Sequence, residues 1–126
     1  MRILIYDNED SKGIYEQVFE GHEYYVFKDP FLVLDFLKKS LQDYDYFKFT
    51  LLSKNISQRI DIALLIHTIR TFEELKKLNQ SSQTKIFVAT NNVDKNEIEE
   101  YSKYGCNSIL LKPFTREVLF QKIFMV

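Results

Sequence analysis

Short apolar runs alternate with amphipathic stretches along most of this chain. Residues 2–6, Arg-Ile-Leu-Ile-Tyr, form a run that stops at Asp7-Asn8-Glu9-Asp10, the pattern of a buried strand whose carboxyl end meets acids. A helix is expected next, with Ile14, Val18 and Phe19 on its inner stripe and Gly21 near its C-terminus. Tyr24-Tyr25-Val26-Phe27 reads as a second strand. Asp29-Pro30 then places a capping carboxylate before a proline at the first helical position, and Leu34, Phe36, Leu37 and Leu41 supply that helix's apolar face. Further on, Lys85-Ile86-Phe87-Val88-Ala89 is a strand ending at Thr90-Asn91-Asn92. Asp94 and Glu97 have capping-box spacing for a helix that turns Ile98, Tyr101 and Tyr104 inward. Ser108-Ile109-Leu110-Leu111 is the last strand and ends at Lys112-Pro113. Thr115 caps a final helix with Val118, Leu119 and Ile123 inside.

Strands alternating with helices imply a parallel sheet covered on both faces, a doubly wound α/β domain. In such sheets the functional edge lies at the carboxyl ends of the strands. Those ends read Asp7-Asn8, Thr90 and Lys112, so an acid, a hydroxyl and an ammonium are expected to converge.

The middle of the chain allows two registers. In one, Lys48-Phe49-Thr50-Leu51-Leu52 is the third strand, ending at Ser53, 46 residues after Asp7. In the other, Ile62 to Leu65 is that strand, ending at Ile66, 59 residues after Asp7. The second requires an irregular stretch of more than ~15 residues, which is uncommon in a compact domain. It also leaves Phe47, Phe49, Leu51 and Leu52 without an element. Ile62, Leu65, Ile66, Ile69 and Phe72 fall on one helical stripe, so residues 61–70 are read as helix and Ser53 as the strand end. Thr71 and Glu74 are spaced as a second capping box, which predicts a break or restart there, with Glu73 to Leu78 continuing the helix.

Bulk composition narrows the function classes. The chain has 126 residues, the size of a single domain spanning 1–126. Lys plus Arg number 17 against 18 Asp plus Glu, net −1, which gives no electrostatic case for direct nucleic-acid binding. One cysteine, Cys106, excludes an intrachain disulfide and suits a cytoplasmic location; it is expected to pack as a small apolar residue. No apolar stretch approaches the ~18 residues of a membrane span, and Asp7 interrupts the first run too early for a signal peptide. Three Gly leave no glycine-rich phosphate loop. His22 and His67 lack partners at zinc-ligand spacing, and His67 is expected at the surface.

In order, "ILIYDNED", "FTLLSKNIS", "IFVATNN" and "GCNSILLKPFT" resemble the receiver domain of two-component response regulators, over essentially the whole chain. The resemblance implies a flavodoxin-like (βα)5 fold with five parallel strands. In that family an aspartate ending the third strand accepts phosphate, and two acids after the first strand hold Mg²⁺. A Thr or Ser ends the fourth strand, and a Lys before a cis Pro ends the fifth. Asp7, Thr90 and Lys112 match these positions, but Asn8 stands at the second acid and Ser53 at the acceptor. The resemblance also implies Asp7 and the Asn55 carbonyl as residual metal contacts. Ile109 stands where the fifth strand often carries an aromatic switch residue, and the third helix region is extended by about a turn or two before the fourth strand.

Serine cannot form the acyl phosphate that a carboxylate forms, nor give Mg²⁺ a charged ligand; Ile66, the acceptor in the rival register, does neither. The resemblance therefore implies an atypical receiver with a degenerate pocket of Asp7, Asn8, Ser53, Thr90 and Lys112. Such a domain would be a non-enzymatic regulatory module that needs no cofactor and holds Mg²⁺ weakly at most. It would bind a protein partner or dimerise through its fourth helix, fifth strand and fifth helix, with no contact to membrane or nucleic acid. A DNA-binding output domain, as in a transcriptional regulator, is expected after Phe124-Met125-Val126. Two alternatives stand beside this: phosphorylation of a displaced acid (Asp43, Asp45 or Asp61), and a flavodoxin-like small-ligand binder, against which the acids after the first strand count.

Overall fold

The computed structural model describes residues 1–7, 12–54, 61–92 and 94–125. Strands β1 (Arg2–Tyr6), β2 (Glu23–Phe27), β3 (Phe49–Ser53), β4 (Lys85–Thr90) and β5 (Ser108–Leu111) alternate with five helices. These are α1 (Lys12–Val18), α2 (Pro30–Gln42), α3 (Ile62–Leu75), α4 (Lys95–Tyr104) and α5 (Arg116–Phe124). One parallel sheet has the order β2-β1-β3-β4-β5, the flavodoxin-like (βα)5 arrangement. No described helix is long and apolar enough to cross a membrane.

Strand periodicity splits the core into two layers. Leu4, Tyr6, Leu52, Ile86 and Val88 pack beneath α2, α3 and α4. Ile3, Ile5, Leu51, Phe87 and Leu110 pack beneath α1 and α5. All five residues of β3 are buried, as a central parallel strand requires. Its one polar interior residue, Thr50, shares a 2.8 Å hydrogen bond with Thr84.

The register question closes in favour of Ser53, since Ile66 is a core residue of α3. β3 opens at Phe49 rather than Lys48. α3 runs unbroken through Thr71, contrary to the expected restart: the Thr71 hydroxyl donates to the His67 carbonyl at 2.8 Å instead of capping. The apolar stripe Ile62-Leu65-Ile66-Ile69 continues at Phe72, past that point, and outweighs a local capping signal. A 3-10 turn at Gln80–Ser82 completes the lengthened passage to β4. Asp29, Asp61, Asp94 and Thr115 each accept a backbone N–H as helix caps. Val118, expected inside, is 42% exposed, while Leu119 and Ile123 fill the interior. Tyr15 and Val33 are fully buried positions that the apolar stripes did not include.

A buried ion pair ties the amino edge of the sheet together. Glu73 is 1% exposed; its Oε1 accepts from Arg70 at 2.6 Å and its Oε2 from the Thr84 N–H at 2.7 Å. Arg70 also donates to the carbonyls of Thr84 and Gly105 and to Asn107 Oδ1. One guanidinium thus joins α3, the start of β4 and the turn before β5. Gly105 caps α4 at φ +114, and a Cβ there would lie 2.8 Å from Arg70 Nε. Glycine alone satisfies both the backbone and the close approach. Glu73→Ala leaves Arg70 without its counter-charge and Thr84 without an acceptor. A loss of about 3 kcal/mol is expected, read as a lower urea midpoint with unchanged slope.

Candidate functional site

The parallel order brings the carboxyl ends of β1, β3, β4 and β5 to one edge. Asp7 follows β1 and is 1% exposed; its N–H donates to the Phe27 carbonyl. The Tyr15 hydroxyl donates to Asp7 Oδ2 at 2.6 Å from a fully buried position on α1. The Tyr15 ring is fixed between Phe19 and Phe114, with centroids 6.3 and 6.5 Å away. A phenol donating to a carboxylate forms a short, charge-assisted hydrogen bond.

Ser53, also 1% exposed, ends β3. The Lys112 ammonium donates to Ser53 Oγ at 2.7 Å and to the Lys54 carbonyl at 2.9 Å. Lys112 is held from behind by its own N–H, which donates to the Thr90 carbonyl at 2.8 Å, and its bond to Pro113 is cis. Thr90 is buried at the end of β4. Its hydroxyl is engaged locally, donating to the Asn92 carbonyl and accepting from the Asn92 N–H at 3.1 and 3.2 Å. It does not cap α4; Asp94 does. Asn8 and Asn55 lie outside the described residues.

Asp7, Ser53, Thr90 and Lys112 therefore share the edge that their spacing indicates. Of the other acids, Asp43 and Asp45 lie in the connection from α2 to β3, at the opposite edge, where Asp43 faces Lys39 and Asp45 faces Arg2. Asp61 accepts the Ala63 N–H as the cap of α3. Among the described residues no three His, Cys, Asp or Glu side chains gather as metal ligands.

A second interaction at this edge escaped the sequence pattern. Lys54, directly after Ser53, places its ammonium 2.6 Å from both carboxylate oxygens of Glu97 on α4. Glu97 thus leaves the expected capping box for a partner on another element. Burial alone would lower the Lys54 pKa, but the Glu97 carboxylate and the Tyr101 hydroxyl outweigh it, and the ammonium titrates above the ordinary lysine value. Burial likewise pushes the Tyr101 hydroxyl up, and it pushes up the thiol of Cys106, as suits a packed and unreactive cysteine. His67 is exposed, with its ring edge-on to Tyr104.

The same architecture occurs in solved receiver domains. The chemotaxis response regulator CheY4 of Vibrio cholerae superposes with a TM-score of 0.75 at 17% identity, over 97% of this chain and 94% of that one. The receiver domain of Saccharomyces cerevisiae Ssk1, crystallised with the histidine phosphotransfer protein Ypd1, gives 0.76 at 17% identity, covering 98% of this chain and 86% of that one. HP1043, an orphan response regulator of H. pylori, gives 0.68 at 17% identity, covering 98% of this chain and 92% of that one. This is the receiver fold. The sequence matches no protein-family profile and no curated protein, so the likeness rests on architecture.

Within that fold the Lys54–Glu97 pair ties the β3 end to α4. Because the folded Lys54 pKa is raised, its contribution is fully present below the ordinary lysine range and is lost as pH rises through the folded value. The pair is about one-third exposed, so Lys54→Met is expected to lower stability by less than about 1 kcal/mol at pH 7. The difference from the unsubstituted protein should shrink in urea titrations above about pH 11.

Proposed function

We propose that this chain acts as an atypical receiver domain, a protein-interaction module of two-component signalling that works without aspartyl phosphorylation. The observation that carries this reading is the hydroxyl of Ser53 at the carboxyl end of β3, bonded to the Lys112 ammonium at 2.7 Å. Phosphoryl transfer from a histidine to a receiver requires a carboxylate that can become a mixed anhydride; an alkyl hydroxyl would give a phosphate ester, a different linkage. Asp7 is likewise engaged by Tyr15. The pocket performs no chemistry in this reading and serves as a fixed internal brace.

A protein partner or a second copy is then the natural ligand, as Ssk1 engages Ypd1 in the structure cited above. On the face formed by α4, β5 and α5, Leu111 and Val118 are 55% and 42% exposed, apolar surface of the kind that marks interaction sites. β5 is also an edge strand. Where the chain forms part of a longer regulator, α5 would connect it to a DNA-binding segment.

Incubation with acetyl phosphate and Mg²⁺ followed by intact-mass measurement tests the reading. No covalent adduct is expected; a hydroxylamine-labile gain of about 80 Da, one phosphoryl group, would overturn it. For the interaction face, sedimentation velocity should show concentration-dependent self-association that Leu111→Asp weakens at least about tenfold. A chain that stays monomeric at every concentration would remove self-association from the proposal.

A further inference from the structure

A groove of about 200 Å³ opens between the C-terminal ends of α2 and α3. It is lined by Lys38, Leu41 and Gln42 of α2, by Phe72 and Leu75 of α3, and by Lys76, the C-cap of α3. Each helix contributes residues spaced i, i+3 and i+4, which share one helix face. The two stripes meet across the groove.

Apolar side chains form its body. Leu41 is buried in the core layer beneath α2 and α3, and Phe72 packs against that layer from α3. Leu75, one turn beyond Phe72, is left 76% exposed. Leu41, Phe72 and Leu75 thus run from the core out to solvent as one continuous apolar surface, recessed between two helices.

Charge at the groove has a single sign. The Lys38 ammonium lies over the Phe72 ring, 5.4 Å from its centroid, so its position is fixed relative to the apolar surface. An ammonium resting on a ring face keeps N–H donors for a carboxylate. Lys39, the next residue, is matched by Asp43 at 3.6 Å, whereas Lys38 and Lys76 face no carboxylate among the described residues. No acid lines the groove.

These features select an occupant. A trough between two helices accepts the ridge of a third, and helices that dock in such grooves present apolar anchors about one turn apart. Two lysines without acids add a requirement for carboxylates beside those anchors, since electrostatic complementarity selects partners of opposite sign.

We propose that the groove between the C-terminal ends of α2 and α3 docks an acidic amphipathic helix of a partner protein, with its apolar anchors on Leu41, Phe72 and Leu75 and its carboxylates on Lys38 and Lys76. The groove is separate from the α4, β5 and α5 face and does not depend on how the Ser53 edge is read.

The probe is a synthetic helical peptide with leucines one turn apart flanked by glutamates, titrated against ¹⁵N-labelled protein at about 0.15 M salt. Two companion peptides replace the leucines with alanine or the glutamates with lysine. The acidic peptide is expected to shift the Leu41, Gln42, Leu75 and Lys76 amides saturably, with a Kd below about 1 mM. Each companion should bind at least about tenfold more weakly. Leu75 and Lys38 are exposed, so Leu75→Ser and Lys38→Glu leave the fold intact; each should weaken the acidic peptide, and Lys38→Glu should strengthen the lysine peptide. Leu111→Asp, on β5, should change neither. No saturable shift up to about 3 mM, equal binding of the lysine peptide, or unchanged affinity in Lys38→Glu would overturn the proposal. Self-association that Leu75→Ser abolishes would overturn it in favour of a second copy, and sedimentation with phosphatidylglycerol vesicles that Leu75→Ser abolishes would overturn it in favour of a lipid surface.

Discussion

Because β3 pairs in parallel with β1 on one side and β4 on the other, the carboxyl ends of all three must meet at one edge. Every residue of β3 is buried, so this strand cannot slip without moving both core layers at once. The chain leaving each strand then delivers Asp7, Ser53, Thr90 and, from β5, Lys112 to a small water-poor volume. Polar groups placed there by topology must find partners within it. Tyr15 serves Asp7, Ser53 and the Lys54 carbonyl receive Lys112, and Thr90 closes on Asn92.

That solution bears on what the edge can do. The Lys112 ammonium donates to the Ser53 hydroxyl and to the Lys54 carbonyl, joining the end of β5 to the end of β3. The resulting bonds are short and converge from β3 and β5, so the edge is satisfied by the chain itself. At the amino edge the Arg70 guanidinium is likewise saturated, and Glu73 balances its charge. Polar satisfaction at each end follows from which side chains the strands and helices carry out of the core.

Much of this was legible from one-dimensional patterns because strand burial and helix stripes have fixed periods. The five strands, their order along the chain and the edge holding Asp7, Ser53, Thr90 and Lys112 all follow from where apolar runs stop. The failures share a cause: each involves a local signal overridden by a partner distant in sequence. Thr71 and Glu74 have capping spacing, yet the stripe facing the core carries α3 past them. Glu97 has the spacing to reach back to its own helix start, yet Lys54 lies 43 positions away and takes both oxygens. Tyr15 sits between Ile14 and Val18 on α1, outside the apolar stripe expected there. Only the fold reveals that a buried carboxylate eight residues earlier needs that donor. Glu73 is the extreme case, an acid in a helix that reads as solvated until Arg70 and the Thr84 N–H enclose it.

The position of α4 shows how these corrections combine. A hydroxyl at the end of β4 could track changes in a pocket only if it were free to turn toward it. Here the Thr90 hydroxyl is committed to both backbone groups of Asn92. α4 is instead tied through Glu97 to Lys54, whose N–H donates to the Ala89 carbonyl at 2.7 Å. The helix is therefore referenced to the backbone of β3 and β4. A face built on α4, β5 and α5 inherits that fixed reference. On the proposed reading, its shape would change through what docks on it, by differential contact with a partner.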